Sequence, residues 1–266
     1  MQPAEFTEFV LQKGQALYRP MPWRDDVRPY YILVSELMLQ QTQVARVAPK
    51  FEAFIAAFPD TKALSRAPLS AVLALWSGLG YNRRAKFLHA AAQMVEAEFG
   101  GQLPRTIREL QTLPGVGPNT AGAIMTYAYN QPVAFIETNV RTVYLHHFFA
   151  DTPEVTDKEI HALLEVTLPT HHPREFYWAL MDYGSWLKAR GVRNNAQSKH
   201  YKKQSPLEGS LRQMRGWLLR DLAFGSEAMS VLLERYGDDA RFLPALEALE
   251  AEGFLCTTVS QVHLTN

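Results

Sequence analysis

A nearly all-α body followed by a small C-terminal unit of helices and a short hairpin is the fold class that this sequence predicts. Three observations predict it. Apolar residues recur at helical spacing through most of the chain, prolines divide those stretches at short intervals, and the texture changes after Pro206. With 266 residues, 47% of them apolar, the chain is long enough to bury a substantial core as one large and one small domain or as two lobes.

Taken in order, the helical stripes are Phe6, Phe9 and Val10; Ile32, Leu33 and Leu37; Val72, Leu73, Leu75 and Trp76; and Ile160, Leu163 and Leu164. Thr7, Ser70, Thr106, Thr156 and Ser210 stand where helix caps are expected, while Pro22, Pro29, Pro59, Pro104, Pro114 and Pro173 mark the joins. Short joins between many helices predict a compact bundle over residues 1–205. After Pro206 the sequence predicts helices around 210–224, 226–236 and 240–252. Leu255 to Leu264 then mixes Thr and Val as a strand does. Residues 206–266 therefore read as a winged-helix-like appendage, with a three-helix cap and loose tail as the alternative.

The net charge is zero, but the charge is segregated. Residues 1–187 carry 16 basic and 18 acidic side chains, 188–220 carry 9 and 1, and 221–266 carry 2 and 8. The segment 188–203 sets Lys188, Arg190, Arg193, Lys199, Lys202 and Lys203 among Asn194, Asn195, Gln197, Ser198 and the stacker Tyr201, a composition suited to phosphate contacts. A solvated basic linker is the bland alternative. The lone cysteine, Cys256, excludes an intrachain disulfide and a thiolate-held zinc or iron–sulfur site built from this chain. No apolar run reaches the roughly 18 residues needed to cross a bilayer, and the first residues carry Glu5 and Glu8 where a secretory signal would be basic. A cytoplasmic protein is expected, nucleoid-associated if prokaryotic, without membrane contact. With no heptad seam, a monomer is expected.

Chemistry concentrates in a few strings. Leu113-Pro114-Gly115-Val116-Gly117 followed by Pro118-Asn119-Thr120-Ala121 combines a tight turn with a helix start whose amides could face a phosphate. A turn between packed helices explains the same string equally. Upstream lie Pro22-Trp23-Arg24 and Ser35-Glu36-Leu37-Met38-Leu39-Gln40-Gln41-Thr42-Gln43-Val44. Glu36 reads as a helix-start carboxyl beside apolar neighbours, where partial burial raises its proton affinity toward that of a general acid; a dipole partner is the alternative. Trp76-Ser77-Gly78-Leu79-Gly80-Tyr81-Asn82-Arg83-Arg84-Ala85 adds a glycine turn, an aromatic and two cations that could wedge and hold a duplex. The pairs His146-His147 and His171-His172 lack the spaced carboxylates or cysteines that would complete a metal site, so no side-chain metal site is expected. Trp178, Trp186 and Trp217 read as core.

In this order and at these separations, PWR, SELMLQQTQV, WSGLGYNRRA, LPGVGPNTAGA and ETNVR resemble the catalytic core of MutY-type adenine DNA glycosylases, in the helix-hairpin-helix superfamily that includes endonuclease III. The resemblance covers roughly residues 20–187. It implies a two-lobed all-α fold, double-stranded DNA carrying a lesion or mismatch as partner, and a base flipped into a cleft between the lobes. Extrusion costs a few kcal/mol, so such an enzyme needs a plug and a phosphate grip. By the resemblance, Gln41 and Tyr81 are the plug, with Arg83 and Arg84 beside them. The hairpin around Gly115 and Gly117 is the grip, and in the family its backbone also holds a monovalent cation. Glu36 matches the acid that protonates the leaving purine, and Arg24 an arginine lining the base pocket.

Where the family places Asp before Gly-Asn-Val, this chain has Glu137-Thr138-Asn139-Val140-Arg141. Glu137 is one methylene longer, and a displacement of ~1 Å in a catalytic group can cost ~100-fold in rate, which implies a remodelled pocket or a silenced one. Thr138 also restricts the backbone relative to glycine. The position of a Schiff-base lysine in bifunctional members is Asn119, so base removal without strand cleavage is expected. The family's four-cysteine cluster is missing from its place after Met181-Asp182-Tyr183-Gly184, and the basic segment, with Lys199, Lys202 and Lys203, takes that position. Its 8-oxoguanine-reading domain is not recognisable in residues 207–266. The implied activity is removal of adenine or another purine. The rivals are uracil, thymine-mismatch or alkylated-base removal on the same fold, a catalytically silent binder of DNA structure, and a regulator resting on the winged helix alone.

Overall fold

The computed structural model describes residues 2–199 and 206–265. Among them are fifteen α-helices and three short strands, an all-α protein with one small sheet. No described helix is long and apolar enough to cross a membrane. The chain folds as two compact units that interleave along the sequence. One contains Met1–Glu36, Leu103–Thr112 and Val116–Lys203, the other Leu37–Gln102, Leu113–Gly115 and Gln204–Asn266.

The first unit is built on α1 (Pro3–Leu17), α2 (Pro22–Asp25), most of α3 (Pro29–Leu39), α8 (Ile107–Leu110), α9 (Pro118–Tyr127), α10 (Thr138–Phe148), α11 (Asp157–Thr167) and α12 (Pro173–Ala189). Helix α1 opens at Pro3 rather than at Thr7, because Gln2 and Glu5 form a reciprocal capping box ahead of it. Thr106 and Thr156 do cap their helices, each accepting the backbone N–H three residues on. Close approach is secured by small residues. A Cβ on Gly14 of α1 would fall 2.3 Å from Ala179 Cβ, and one on Gly184 would fall 2.6 Å from the Asn139 carbonyl, so α12 lies directly against α1 and α10. Phe6 sits fully buried between them, its ring edge-on to Tyr144 (5.2 Å) and Phe148 (4.8 Å).

The second unit contains α4 (Val44–Ala57), α5 (Thr61–Arg66), α6 (Leu69–Trp76) and α7 (Arg83–Glu98) around Phe51, Phe54, Trp76 and Leu88, all fully buried. Each such side chain contributes about 1.5–3 kcal/mol. Helix α6 begins at Leu69 with Pro68 before it, one residue ahead of the cap expected at Ser70. The C-terminal segment clusters with this unit. It runs α13 (Leu211–Asp221, capped by Ser210), β1 (Glu227–Ala228), α14 (Met229–Tyr236), α15 (Phe242–Ala251), β2 (Leu255–Thr257) and β3 (Gln261–Leu264). The sheet is antiparallel in the order β1-β3-β2, with Glu227 opposite Val262 and Leu255 opposite Leu264. Helix, strand, two helices and a two-strand wing is winged-helix order. The two-residue β1 is too short to show alternation in the sequence.

Candidate active site

Glu36 lies in the last turn of α3, not at a helix start. Pro29 opens that helix, since proline's missing N–H goes unused at a first helical position. Leu33 and Leu37 are buried around it while Glu36 keeps part of its surface open to solvent. Burial first, and repulsion from Glu137 second, hold its carboxyl well above the usual range. The negative end of the α3 dipole acts in the same direction.

Glu137 is the N-cap residue of α10, with extended backbone (φ −100°, ψ 168°), but its side chain makes no capping bond and is left for other work. Burial pushes its carboxyl up to about 7. Its place at the positive end of α10 favours the ionised form, opposite to the dipole acting on Glu36. Of the two coupled carboxyls, Glu137 therefore gives up its proton first and its charge keeps Glu36 protonated. Environments that push two neighbouring acids apart in this way assign one as acid and the other as anion.

Several groups fix the approach to Glu137. Asn119, exposed in the first turn of α9, donates from Nδ2 to the Ile136 carbonyl at 3.0 Å. The Tyr177 hydroxyl accepts from the Phe135 N–H at 2.8 Å, and its ring stacks on Phe135 at 4.1 Å between centroids. Beyond Glu137, Lys188 donates to Asn139 Oδ1 at 2.7 Å; burial, then Arg141 and Arg193, lower that ammonium to about 8. Thr138 enters the helix without a left-handed backbone, so the restriction expected from replacing glycine does not arise.

Sequence reasoning missed Tyr127, at the end of α9. It is buried, and its hydroxyl is held well above 10 by burial, then by the charges of Glu137 and Glu36, with Arg24 opposing. That places Tyr127 within electrostatic reach of all three. No described residue gives a hydrogen bond to the Tyr127 hydroxyl or to either carboxylate. In the sequence an aromatic on the apolar face of a helix carries no signal beyond core.

Arg24 is brought to Asp182, also unassigned from sequence. Its guanidinium lies 2.7 Å from Asp182 Oδ2 and 3.1 Å from Oδ1, and donates to the Arg19 carbonyl at 3.0 Å. Tyr18 and Trp178 flank it at 5.3 and 5.4 Å from ring centroid to Cζ. Asp182 also takes Arg19 at 2.7 Å. Arg24 is thus tied into the wall, acting on the site through its charge. Trp178, Trp186 and Trp217, expected as core, are only half-buried, while Trp23 and Trp76 are buried.

In the second unit, Gln41 (φ +56°) and Tyr81 (φ +48°) both hold the left-handed backbone that side chains disfavour, at a cost of roughly 1–3 kcal/mol each. Their loops are organised by Arg84, which is buried rather than at the surface. It donates to the carbonyls of Leu37 (2.6 Å), Met38 (2.9 Å), Gln40 (2.6 Å), Leu79 (3.4 Å) and Gly80 (3.1 Å) and to Thr42 Oγ1 (3.1 Å). The expectation of direct DNA contact by Arg84 is corrected accordingly: reaching a phosphate would forfeit those bonds, so it shapes the loops that carry Gln41 and Tyr81. Arg83 is exposed and paired with Glu252 at 2.7 Å. Gly115 needs its left-handed φ of +79°, and a Cβ there would lie 2.9 Å from Phe87 Cβ; Gly117 has ordinary φ and open space before it.

The basic segment folds back on α10 as far as it is described. Asn194 donates to the Thr142 carbonyl at 3.0 Å, and Arg193 to the Lys188 carbonyl at 2.6 Å. Lys199 is exposed, 3.4 Å from Glu154. Lys202, Lys203 and Tyr201 lie outside the described residues. His147 is taken up by the Tyr183 hydroxyl at 3.0 Å, and no described cluster of His, Cys, Asp or Glu could hold a metal ion.

Residues 34–169, just over half of the chain, match the sequence profile of the HhH-GPD superfamily base excision DNA repair proteins. The chain belongs to that superfamily. An adenine DNA glycosylase of Mycobacterium tuberculosis is 34% identical over 268 residues, covering 92% of this chain and 88% of its own length. One from Buchnera aphidicola (strain Bp) is 36% identical over 173 residues, covering 64% of this chain and 48% of its own. The chain spans about half the length of several curated relatives that it matches. The structure of a thermostable thymine-DNA glycosylase superposes with a TM-score of 0.62 at 26% identity, over 69% of this chain and 86% of that one. In this HhH-GPD chain the helix-hairpin-helix is α8, the turn at residues 111–117, and α9; Glu36, Glu137 and Gly115 all fall inside the matched stretch.

Proposed function

We propose that this chain is a monofunctional DNA glycosylase that flips a mispaired or damaged base, adenine or another purine by preference, and hydrolyses its N-glycosidic bond. The pairing of a protonated Glu36 with a Glu137 that ionises first carries the reading. Glu36 donates its proton to a ring nitrogen of the purine as the bond to C1′ breaks and its electron pair leaves with the base. The Glu137 carboxylate offsets the positive charge developing on the sugar, and water adds at C1′ with loss of a proton. Tyr127, unpartnered and near both acids, offers a hydroxyl to the base. Asn119 holds the segment entering Glu137 and supplies no amine for a covalent sugar adduct.

Double-stranded DNA is the partner, with Gln41 and Tyr81 as the plug, and Lys199, Lys202 and Lys203 on the phosphates. A monomer in the cytoplasm is our reading. With one cysteine the chain supplies no iron–sulfur cluster, and no cofactor enters the reaction. A monovalent cation would be held by carbonyls of the hairpin turn; the open space before Gly117 has room for it, and its charge would add to the phosphate grip. The likeness to a thymine-DNA glycosylase favours mismatched thymine as the second reading. Base release from duplexes bearing adenine opposite guanine or 8-oxoguanine, mismatched thymine, uracil, hypoxanthine or alkylpurines tests both. Purine release that leaves the strand intact until heated in alkali supports the first. Binding without release from any duplex refutes both.

A further inference from the structure

The plug residues of the second unit do not stand alone. Arg212, on the first turn of α13, donates from Nη1 to the Tyr81 hydroxyl, and its guanidinium lies 4.8 Å from the Tyr81 ring centroid. The Arg84 guanidinium sits 5.5 Å from the same centroid, so the strained Tyr81 is gripped by two cations, one of them from the C-terminal segment. Tyr81 and Arg212 together form a partition, since both line each of two recesses in this unit, of about 600 and 430 Å³.

The two recesses differ in charge. The smaller one holds Arg83 and Arg215, and both are neutralised by Glu252, at 2.7 and 2.5 Å. The larger one holds Arg46 and Arg220. Arg46 is exposed and no described residue pairs with it, while Arg220 has only Asp221 at 3.8 Å. Amide groups of Gln41, Gln43 and Gln213 line the same recess, with the half-buried Trp217, whose indole is held by stacking on Tyr236 (6.1 Å, 14°). Cations beside amides and a fixed indole match a nucleotide: phosphate on the arginines, base edge on the amides, base face on an aromatic. A recess of this volume is of the size that holds small ligands.

We propose that the larger recess, walled by α13, receives the nucleobase left in the duplex opposite the extruded one, with Arg212 as the positioning residue that sets Tyr81. The C-terminal segment is then part of the opposite-base reader. The proposal rests on the glycosylase reading but is tested without catalysis. A duplex with 2-aminopurine opposite a tetrahydrofuran abasic analogue is titrated with wild type, Arg212→Ala and Arg46→Ala, beside the undamaged duplex.

Wild type should change the probe's fluorescence at least twofold. Both variants should lose most of that change and bind the lesion duplex about tenfold more weakly, with the undamaged duplex affected less than threefold. Should Arg212→Ala lose its fold by circular dichroism, the exposed Arg46→Ala decides. Lesion binding with a silent probe, or equal weakening on both duplexes, overturns this inference and leaves the glycosylase reading standing. Absence of any DNA binding would overturn both.

Discussion

Replacing Glu137 by glutamine should stop base release and yet stabilise the protein, and only above neutral pH. The carboxyl stands near 4.5 when unfolded and at about 7 in the native site. The native state therefore holds a proton across that interval that the unfolded chain has released, and stability present below about pH 4.5 is lost as pH rises through 7. At 1.36 kcal/mol per tenfold change, the ionised carboxylate costs about 3.4 kcal/mol, which its partial exposure to solvent reduces to about 2–3 kcal/mol. Glutamine keeps the shape without the charge. For a chain of 266 residues, each kcal/mol moves Tm by about 2 °C, so Glu137→Gln should melt about 4–6 °C above wild type at pH 8 and within about 1 °C of it at pH 5. Glu36→Gln, at an acid that keeps its proton after Glu137 has ionised, should gain less at pH 8. Scanning calorimetry at both pH values decides. Equal shifts at pH 5 and pH 8, or destabilisation at pH 8, would refute the electrostatic reasoning.

Single-turnover base release should follow a bell in pH, rising through about 7 as Glu137 ionises and falling at higher pH as Glu36 loses its proton; a profile flat from pH 6 to 8 would contradict this. Asp182→Asn should cost about 3–5 kcal/mol and lower Tm by roughly 5–9 °C, because it strips the charge partner from the buried Arg24; a drop under 2 °C by calorimetry would contradict it. Arg84→Lys keeps the charge but cannot span six acceptors, so DNA affinity by fluorescence anisotropy should fall about tenfold with release from bound DNA slowed less; unchanged affinity would deny Arg84 its part in shaping the plug loops.

The helical body was legible because its signals are local. Thr106, Thr156 and Ser210 cap the helices that their positions announced, and the winged-helix segment followed from three apolar periods and a Thr/Val tail. Thr7 and Ser70 misled, since prolines at positions 3 and 68 begin those helices earlier. Glu36, Glu137 and Asn119 were found because each lies in a distinctive string. Tyr127, Tyr177 and Asp182 were not, because what marks them is where α9, α10 and α12 bring them, and in sequence each is one more residue on a helix. Arg84 shows the converse: a cation beside a glycine turn reads as a surface grip, and burial against five carbonyls is visible only in three dimensions. Likewise, nothing in residues 206–266 announces that Arg212 meets Tyr81 across 131 positions.

The division of labour between Glu36 and Glu137 is tested most directly by the single-turnover rate of base release on the duplex that the panel identifies, with wild type, Glu36→Gln and Glu137→Gln each saturating the DNA. Both variants should release base at least a thousandfold more slowly while binding that duplex within about threefold of wild type. Release at the wild-type rate by either variant would contradict the account.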